Sequence, residues 1–232
     1  MPYHPAVRAP VLVPAVLSLA AALLVAAMCA YPGGTASSPE AVAFDPWRDF
    51  FCDLLAERTL SGRDNTLGST CSRLGMVLTG VGMWALWRDC AVARRWPGRH
   101  RILRWTATAT ALAVPAVAWT PSGAWPIWHS VAILVAGVPA SLAIAVTAAC
   151  IWQSRRERPR TTALTVAFVV AGGVLMVVWT LCFVVAWAAV PLAIAQKVAW
   201  LLLLVWAMTL ARGSTPKSSV ERPTGAGSQP TR

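Results

Sequence analysis

Apolar residues along this chain gather into long runs separated by short polar stretches. A helix needs about 20 apolar residues to cross the hydrocarbon core of a bilayer. Runs of that size lie at residues 9–31, 67–87, 102–120 and 126–152. The stretch 161–211 holds one charge, Lys197. At about 1.5 Å per residue it would reach roughly 76 Å, more than twice the hydrocarbon thickness, so it must fold back. Pro191 is the expected hinge, because proline does not continue a regular helix. That divides the stretch into spans at 161–188 and 191–211. The pattern predicts an all-α polytopic transmembrane helical bundle of six spans over residues 9–211, with a short N-terminus at 1–8 and a tail at 213–232.

The stretch between the first two spans has a pattern of its own. Tyr31-Pro32-Gly33-Gly34-Thr35 is a turn signal. Asp45-Pro46 then reads as a helix start, with Asp as N-cap and Pro in the first helical position. Trp47, Phe50, Phe51, Leu54 and Leu55 follow at helical spacing, while Asp49, Asp53 and Glu57 recur every fourth residue on the other side. About 13 residues are too few to cross, so a short amphipathic interfacial helix is expected, lying over the helix ends. Asn65 and Ser69 lead into the second span. Capping is the simpler account of them; the sharper one places them at the rim of a pocket.

Composition supports the membrane assignment. Hydrophobic residues make up 57% of the chain and charged residues 12%, too little charge to cover a soluble domain of this length. A net charge of +11 would ordinarily raise nucleic acid as a partner, but the basic residues sit in short loops. Counting Arg8, Arg104, the clusters after the second and fourth spans and the tail, 15 of the 20 fall on one side. That side should be the cytoplasm, so no nucleic acid is expected and both termini should be cytoplasmic in a cell membrane. A cleaved signal peptide fits residues 1–30 less well, since the apolar run is long and Arg8 is the only preceding fixed positive charge. The tail is rich in Ser, Thr, Pro and Gly and is expected to be disordered. The preference for Arg over Lys, with abundant Ala, Val, Trp and Pro, is associated with GC-rich bacterial genes.

Ionisable groups inside spans are costly and tend to mark function. His129 opens the fourth span, Lys197 lies about six residues into the sixth and Arg73 is near the start of the second. All three fall on the side of the acidic loop. A polar cluster of Asp49, Asp53, Asn65, Ser69, His129 and Lys197 is therefore expected, with Asp53 as the carboxylate that meets Lys197. Snorkelling would account for Lys197 and Arg73 without any such cluster. Cys52 and Cys71 would both face an oxidising exterior, and a disulfide between them is conceivable, with Cys29 as the other partner. No phosphate-binding glycine loop, metal-ligand spacing or serine elbow is present, so neither cofactor nor metal is expected. Gly172-Gly173 suits close helix packing.

Tyr31 to Thr35, the run Phe44 to Leu55 (FDPWRDFFCDLL), and then Asn65, Gly68 and Ser69 resemble a bacterial six-span family designated domain of unknown function 998. Its Ser-Asp-Leu-Gly-like run is matched by Cys52-Asp53-Leu54-Leu55, with Cys52 for Ser and Leu55 for Gly. Its Thr-Pro turn before a His is matched by Thr120-Pro121 and His129. The resemblance covers residues 10–210 and implies a divergent member. A similar arrangement marks the eukaryotic six-span proteins that modulate autophagy. A more distant likeness to alkaline-ceramidase-type hydrolases does not carry activity over, because those use three intramembrane His for zinc and only His129 stands in that position here.

The functional expectation is an integral membrane protein that interacts with membrane lipids through a polar pocket on its outer face. An intramembrane enzyme acting on a lipid or isoprenoid through Asp49 or Asp53 and His129 is the alternative. A small transporter is the third, although no inverted repeat is evident.

Overall fold

The computed structural model describes residues 9–35, 38–155, 159–184 and 189–212, with side chains for all of these except 9–11 and 175–191. The expectations for residues 1–8 and 213–232 fall outside the described residues. Six helices are present among those described: α1 (Ala9–Ala30), α2 (Thr66–Arg88), α3 (Pro97–Trp119), α4 (Pro126–Gln153), α5 (Pro159–Val184) and α6 (Ala189–Arg212). Apart from one isolated bridge between Arg58 and Asp64, the described residues are helical, turn or irregular.

Each apolar run became one helix. α3 begins five residues before the run it was read from, because Pro97 sits at a helix N-terminus, where its missing N–H leaves no partner unmatched. The connector 185–188 lies outside the described residues, and Pro191 falls in the first turn of α6, where proline is tolerated. Three helical segments are long and apolar enough to cross a membrane: Leu12–Ala30, Pro126–Gln153 and Leu192–Arg212. Pro159–Val174 is apolar and shorter among the described residues. α2 and α3 are less apolar because they hold more small, polar and basic residues, and α2 packs against both α1 and α3. Large side chains on the outside are apolar, among them Leu112 and Ile127 at 76% exposure each. A continuous apolar exterior of this kind is what lipid covers.

Helices adjacent in sequence pack together, and α1 also meets α6. The α1–α2 contact is the most extensive of these. α1 offers Val13, Leu17, Ala20, Leu24 and Ala27 in a buried stripe at three- and four-residue steps. α2 answers with Gly68, Gly75 and Gly82, one every seventh residue, all buried. A Cβ at Gly75 would stand 3.1 Å from the Ala20 carbonyl oxygen, and one at Gly82 would stand 2.6 Å from Leu17 Cδ2. Small residues let backbones approach where lipid supplies no hydrophobic drive between helices. The close packing expected at Gly172-Gly173 is not found: a Cβ there meets nothing among the described residues. At the far end from the α1–α2 loop, Trp206 stacks on Phe168 at 5.1 Å between ring centroids and donates to Thr165 Oγ1.

Gly75→Leu should therefore lower stability by about 1–3 kcal/mol through overpacking. Gly172→Ala should be neutral or stabilise by up to about 1 kcal/mol through helix propensity. Thermal unfolding of both variants in detergent reads the difference, and equal effects would show that the glycine spacing in α2 carries no packing.

Candidate functional site

The loop from Tyr31 to Asn65 is the most polar part of the described structure near the ends of α1 and α2, and its shape begins with two glycines. Gly33 and Gly34 have φ of +82° and +83°. A Cβ would lie 2.1 Å from the Ala41 oxygen at Gly33 and 2.1 Å from Ser61 Oγ at Gly34, so the turn admits no side chain. Arg63 closes the return by donating from Nη1 to the Pro32 and Ala41 carbonyls, at 2.7 and 2.9 Å.

The amphipathic helix expected from Asp45 onward is replaced by one helical turn and a 3-10 turn at Asp53–Leu55. Asp45 Oδ1 does accept the Trp47 N–H, as the N-cap reading requires. Beyond that turn, side chains take the backbone groups a helix would have paired. Asp53 Oδ2 accepts the Phe50 N–H at 2.7 Å, and Gln196 Oε1 accepts the Phe51 N–H at 3.1 Å. Lys197 Nζ donates to the Asp49 carbonyl. Asn65 Nδ2 donates to the Leu54 and Ala56 carbonyls, and Arg73 Nη2 to that of Leu55. Competition of this kind outbids helix formation in a short segment.

The predicted side-chain placement changes accordingly. Asp49, expected on the polar face of that helix and in the polar cluster, is fully buried, accepting the Thr35 hydroxyl at 2.6 Å and the Asp45 N–H at 2.7 Å. Lys197 does not form an ion pair with Asp53. Its ammonium sits 5.5 Å from the centroids of both Phe44 and Phe51, and donates to carbonyls of Asp49 and Ala193. Two rings and two carbonyls offer a cation a partly dry seat without a carboxylate. Asn65 stands at the N-cap position but gives no side-chain cap; it clamps the loop instead. Ser69, buried, bonds back to the Thr66 carbonyl.

Cys52 and Cys71 are both free thiols. The bridge does not form because Cys52 Sγ faces His129 Nε2 at 3.1 Å, while Cys71 packs near Tyr31 and Leu54. His129 Nδ1 lies 2.6 Å from the Thr120 carbonyl. A carbonyl only accepts, so Nδ1 carries the proton, and Nε2 of the neutral ring accepts from the Cys52 thiol. Both ring nitrogens are thereby engaged, and no carboxylate is hydrogen-bonded to either.

Burial is the first cause of every shifted group here. It raises Asp53 to about 6, helped by the Asp49 charge and opposed by the Phe50 N–H and Lys197. It raises Cys52 to about 12, with the Asp53 charge acting in the same direction. Tyr31 is raised as well, by burial and then by Asp53 and Asp49. Cys52 is therefore a protonated thiol at neutral pH and a poor nucleophile. The Cys52–His129 contact ties the loop to α4 and shows none of the activation a catalytic thiol needs.

Sequence reasoning missed Thr35, Gln196 and the His129 partner of Cys52. Gln196 did carry a signal, as an amide beside Lys197 in an apolar run. Gly68 is required for a reason no spacing reveals: a Cβ there would lie 2.1 Å from Asn65 Oδ1.

Beside this cluster is a cavity of about 900 Å³, walled by the loop on one side and the α3–α4 turn on the other. Asp53, Glu57, Asp64, Arg58 and Arg73 bring both signs of charge to it, with Tyr31, Trp119 and Trp125 among its aromatic walls. Arg73 and Glu57 pair at 2.7 Å. Compared with protein-family models, curated proteins and solved structures, the chain matches none.

The raised Asp53 fixes a direction of pH dependence. Its folded-state proton affinity exceeds the ordinary 3.8, so its contribution to stability is fully present below about 3.8 and is lost as pH rises through about 6. Asp53→Asn should abolish that dependence and stabilise the protein at pH 7.5 by about 1–3 kcal/mol. Melting temperatures at pH 5 and 7.5 read it. A destabilised variant at pH 7.5 would mean the ionised carboxylate is needed.

Proposed function

We propose that the chain is a six-span membrane protein with both termini in the cytoplasm, a divergent relative of the six-span family it resembles, whose outward cavity holds the headgroup of a membrane lipid without chemical change. The observation that carries this reading is the cavity of about 900 Å³ with charges of both signs at one pole of an apolar bundle. Carboxylates beside guanidinium groups match a headgroup that is itself zwitterionic, an ammonium near Asp53 and Asp64 and a phosphate near Arg58. Trp119 and Trp125, 55% and 56% exposed, suit the level where headgroup meets acyl chain. The enzyme alternative is not supported by His129, whose nitrogens are engaged, nor by Cys52, whose thiol is protonated.

Added phosphatidylethanolamine should raise the melting temperature of the detergent-solubilised protein. At about a hundredfold excess over its dissociation constant the gain is about 2.7 kcal/mol, or roughly 5–10 °C for a chain this size. Diacylglycerol, which lacks the headgroup, should give no shift, and the Arg58→Gln/Asp64→Asn double variant should lose most of it. Equal stabilisation by diacylglycerol would refute the headgroup site.

Orientation has its own check. Reporter fusions after residues 95, 157 and 215 should report cytoplasm, and fusions near 60 and 123 the exterior. A cytoplasmic report near 60 would reverse the assignment.

A further inference from the structure

The opposite pole carries a second cavity, of about 760 Å³, between the end of α2 and the start of α3. Its walls include Arg88, Arg94, Arg101 and Arg104, with Trp84 and Trp105. We propose that this cavity is a binding site for the phosphate headgroup of an anionic phospholipid, seated between the arginines with its acyl chains along α3.

Charge is the first argument. From Arg88 to Arg104 the chain holds six Arg and one acidic residue, Asp89, the only acid between Asp64 and Glu157. Asp89 is used: it pairs with Arg94 at 3.7 Å. Arg88 lies over the Trp84 ring at 4.8 Å, and its carbonyl accepts from His100 Nε2. Among the described residues, the guanidinium groups of Arg101 and Arg104 make no hydrogen bond or ion pair. Two unmatched cations thus share a cavity with two others.

The start of α3 intensifies this. Its first turn has no acidic residue and no side-chain cap, so the free N–H groups and the positive end of the helix dipole add to the arginines. Cations in the first turns of a helix are unfavourably placed unless an anion joins them, and phosphate oxygens suit both N–H groups and guanidinium forks.

The third argument separates a lipid from a free anion. Arg101, Arg104, Trp105, Thr108 and Leu112 recur at three- and four-residue steps and share one face of α3. Trp105 is 72% exposed and Leu112 76%. The basic floor at Arg101 and Arg104 therefore continues through Trp105 and Thr108 to the exposed Leu112, a face about 16 Å long in all, the geometry a headgroup and its chains require. An inorganic phosphate would use the first half and leave the second bare.

The test uses the full chain in neutral detergent and a tail-labelled phosphatidylglycerol, with phosphatidylcholine as the neutral counterpart. Each arginine near such a headgroup is worth about fivefold in binding, so Arg101→Gln/Arg104→Gln should weaken phosphatidylglycerol about 25-fold. Arg99→Gln is the control, because Arg99 reaches Gln153 and stacks on Trp96 outside the cavity; it should change binding less than twofold. Arg101→Lys/Arg104→Lys should retain most of the affinity and shows that loss in the Gln variant is not misfolding. Equal losses for Arg99→Gln and the double variant would overturn the site, as would phosphatidylcholine binding as tightly as phosphatidylglycerol. Displacement of the label by low-millimolar inorganic phosphate would overturn the lipid assignment in favour of a free anion. Micelles expose both poles, so the result does not depend on orientation or on the other cavity.

Discussion

The arrangement rests on the need of a non-helical backbone at the mouth of an apolar bundle to find hydrogen-bond partners. Residues 45–57 cannot pair all their own N–H and C=O groups once their helix stops after one turn, and an unpaired group out of water costs about 1–3 kcal/mol. Asn65 and Arg73 from the α2 side and Gln196 and Lys197 from α6 supply the partners. Those four side chains fix where Asp49, Cys52 and Asp53 go, and so fix one wall of the neighbouring cavity. The loop is held by its own hydrogen bonds together with those it receives from α2 and α6.

The two poles differ in kind. The loop pole mixes acids and bases and spends most of them internally. The arginine pole has almost no acid to spend, and among the described residues it leaves two guanidinium groups uncommitted. Between them the α1–α2 seam of glycine against alanine and leucine brings two helices close enough to act as one rigid wall. Burial at the loop pole has a chemical effect as well: it holds Asp53 near 6 and keeps the Cys52 thiol protonated, so charges there are arranged for position more than for reaction.

Helices were legible in the sequence because apolar run length is a local property. All six runs became helices, and α3 exceeded its run only where Pro97 could open a helix among arginines. Whether all six cross a membrane is a different matter, and hydropathy singles out three of them among the described residues. The polar cluster was legible as a set of residues and not as a set of bonds. His129, Asp49, Asp53 and Lys197 do gather at one pole, but Lys197 meets Asp49 by its carbonyl, and His129 meets Cys52. Periodicity of Trp47, Phe50, Phe51 and Leu54 counted faces and ignored rivals for the backbone. Those rivals lie far off: Gln196 binds Phe51 across 145 residues. No local pattern at residue 51 announces an amide on α6.

That distance has a consequence for how the protein is made. The loop leaves the ribosome early, whereas Lys197 follows its partner Asp49 by 148 residues. At 5–20 residues per second, synthesis keeps the first loop waiting for roughly 7–30 s. During that interval Phe44, Phe51 and the carbonyls around them have no α6 to rest on. A chain truncated before Gln196 would therefore carry a correctly placed but unfinished loop, a surface that cellular quality control can recognise. A helix near residue 196 thus completes a loop made some 145 residues earlier.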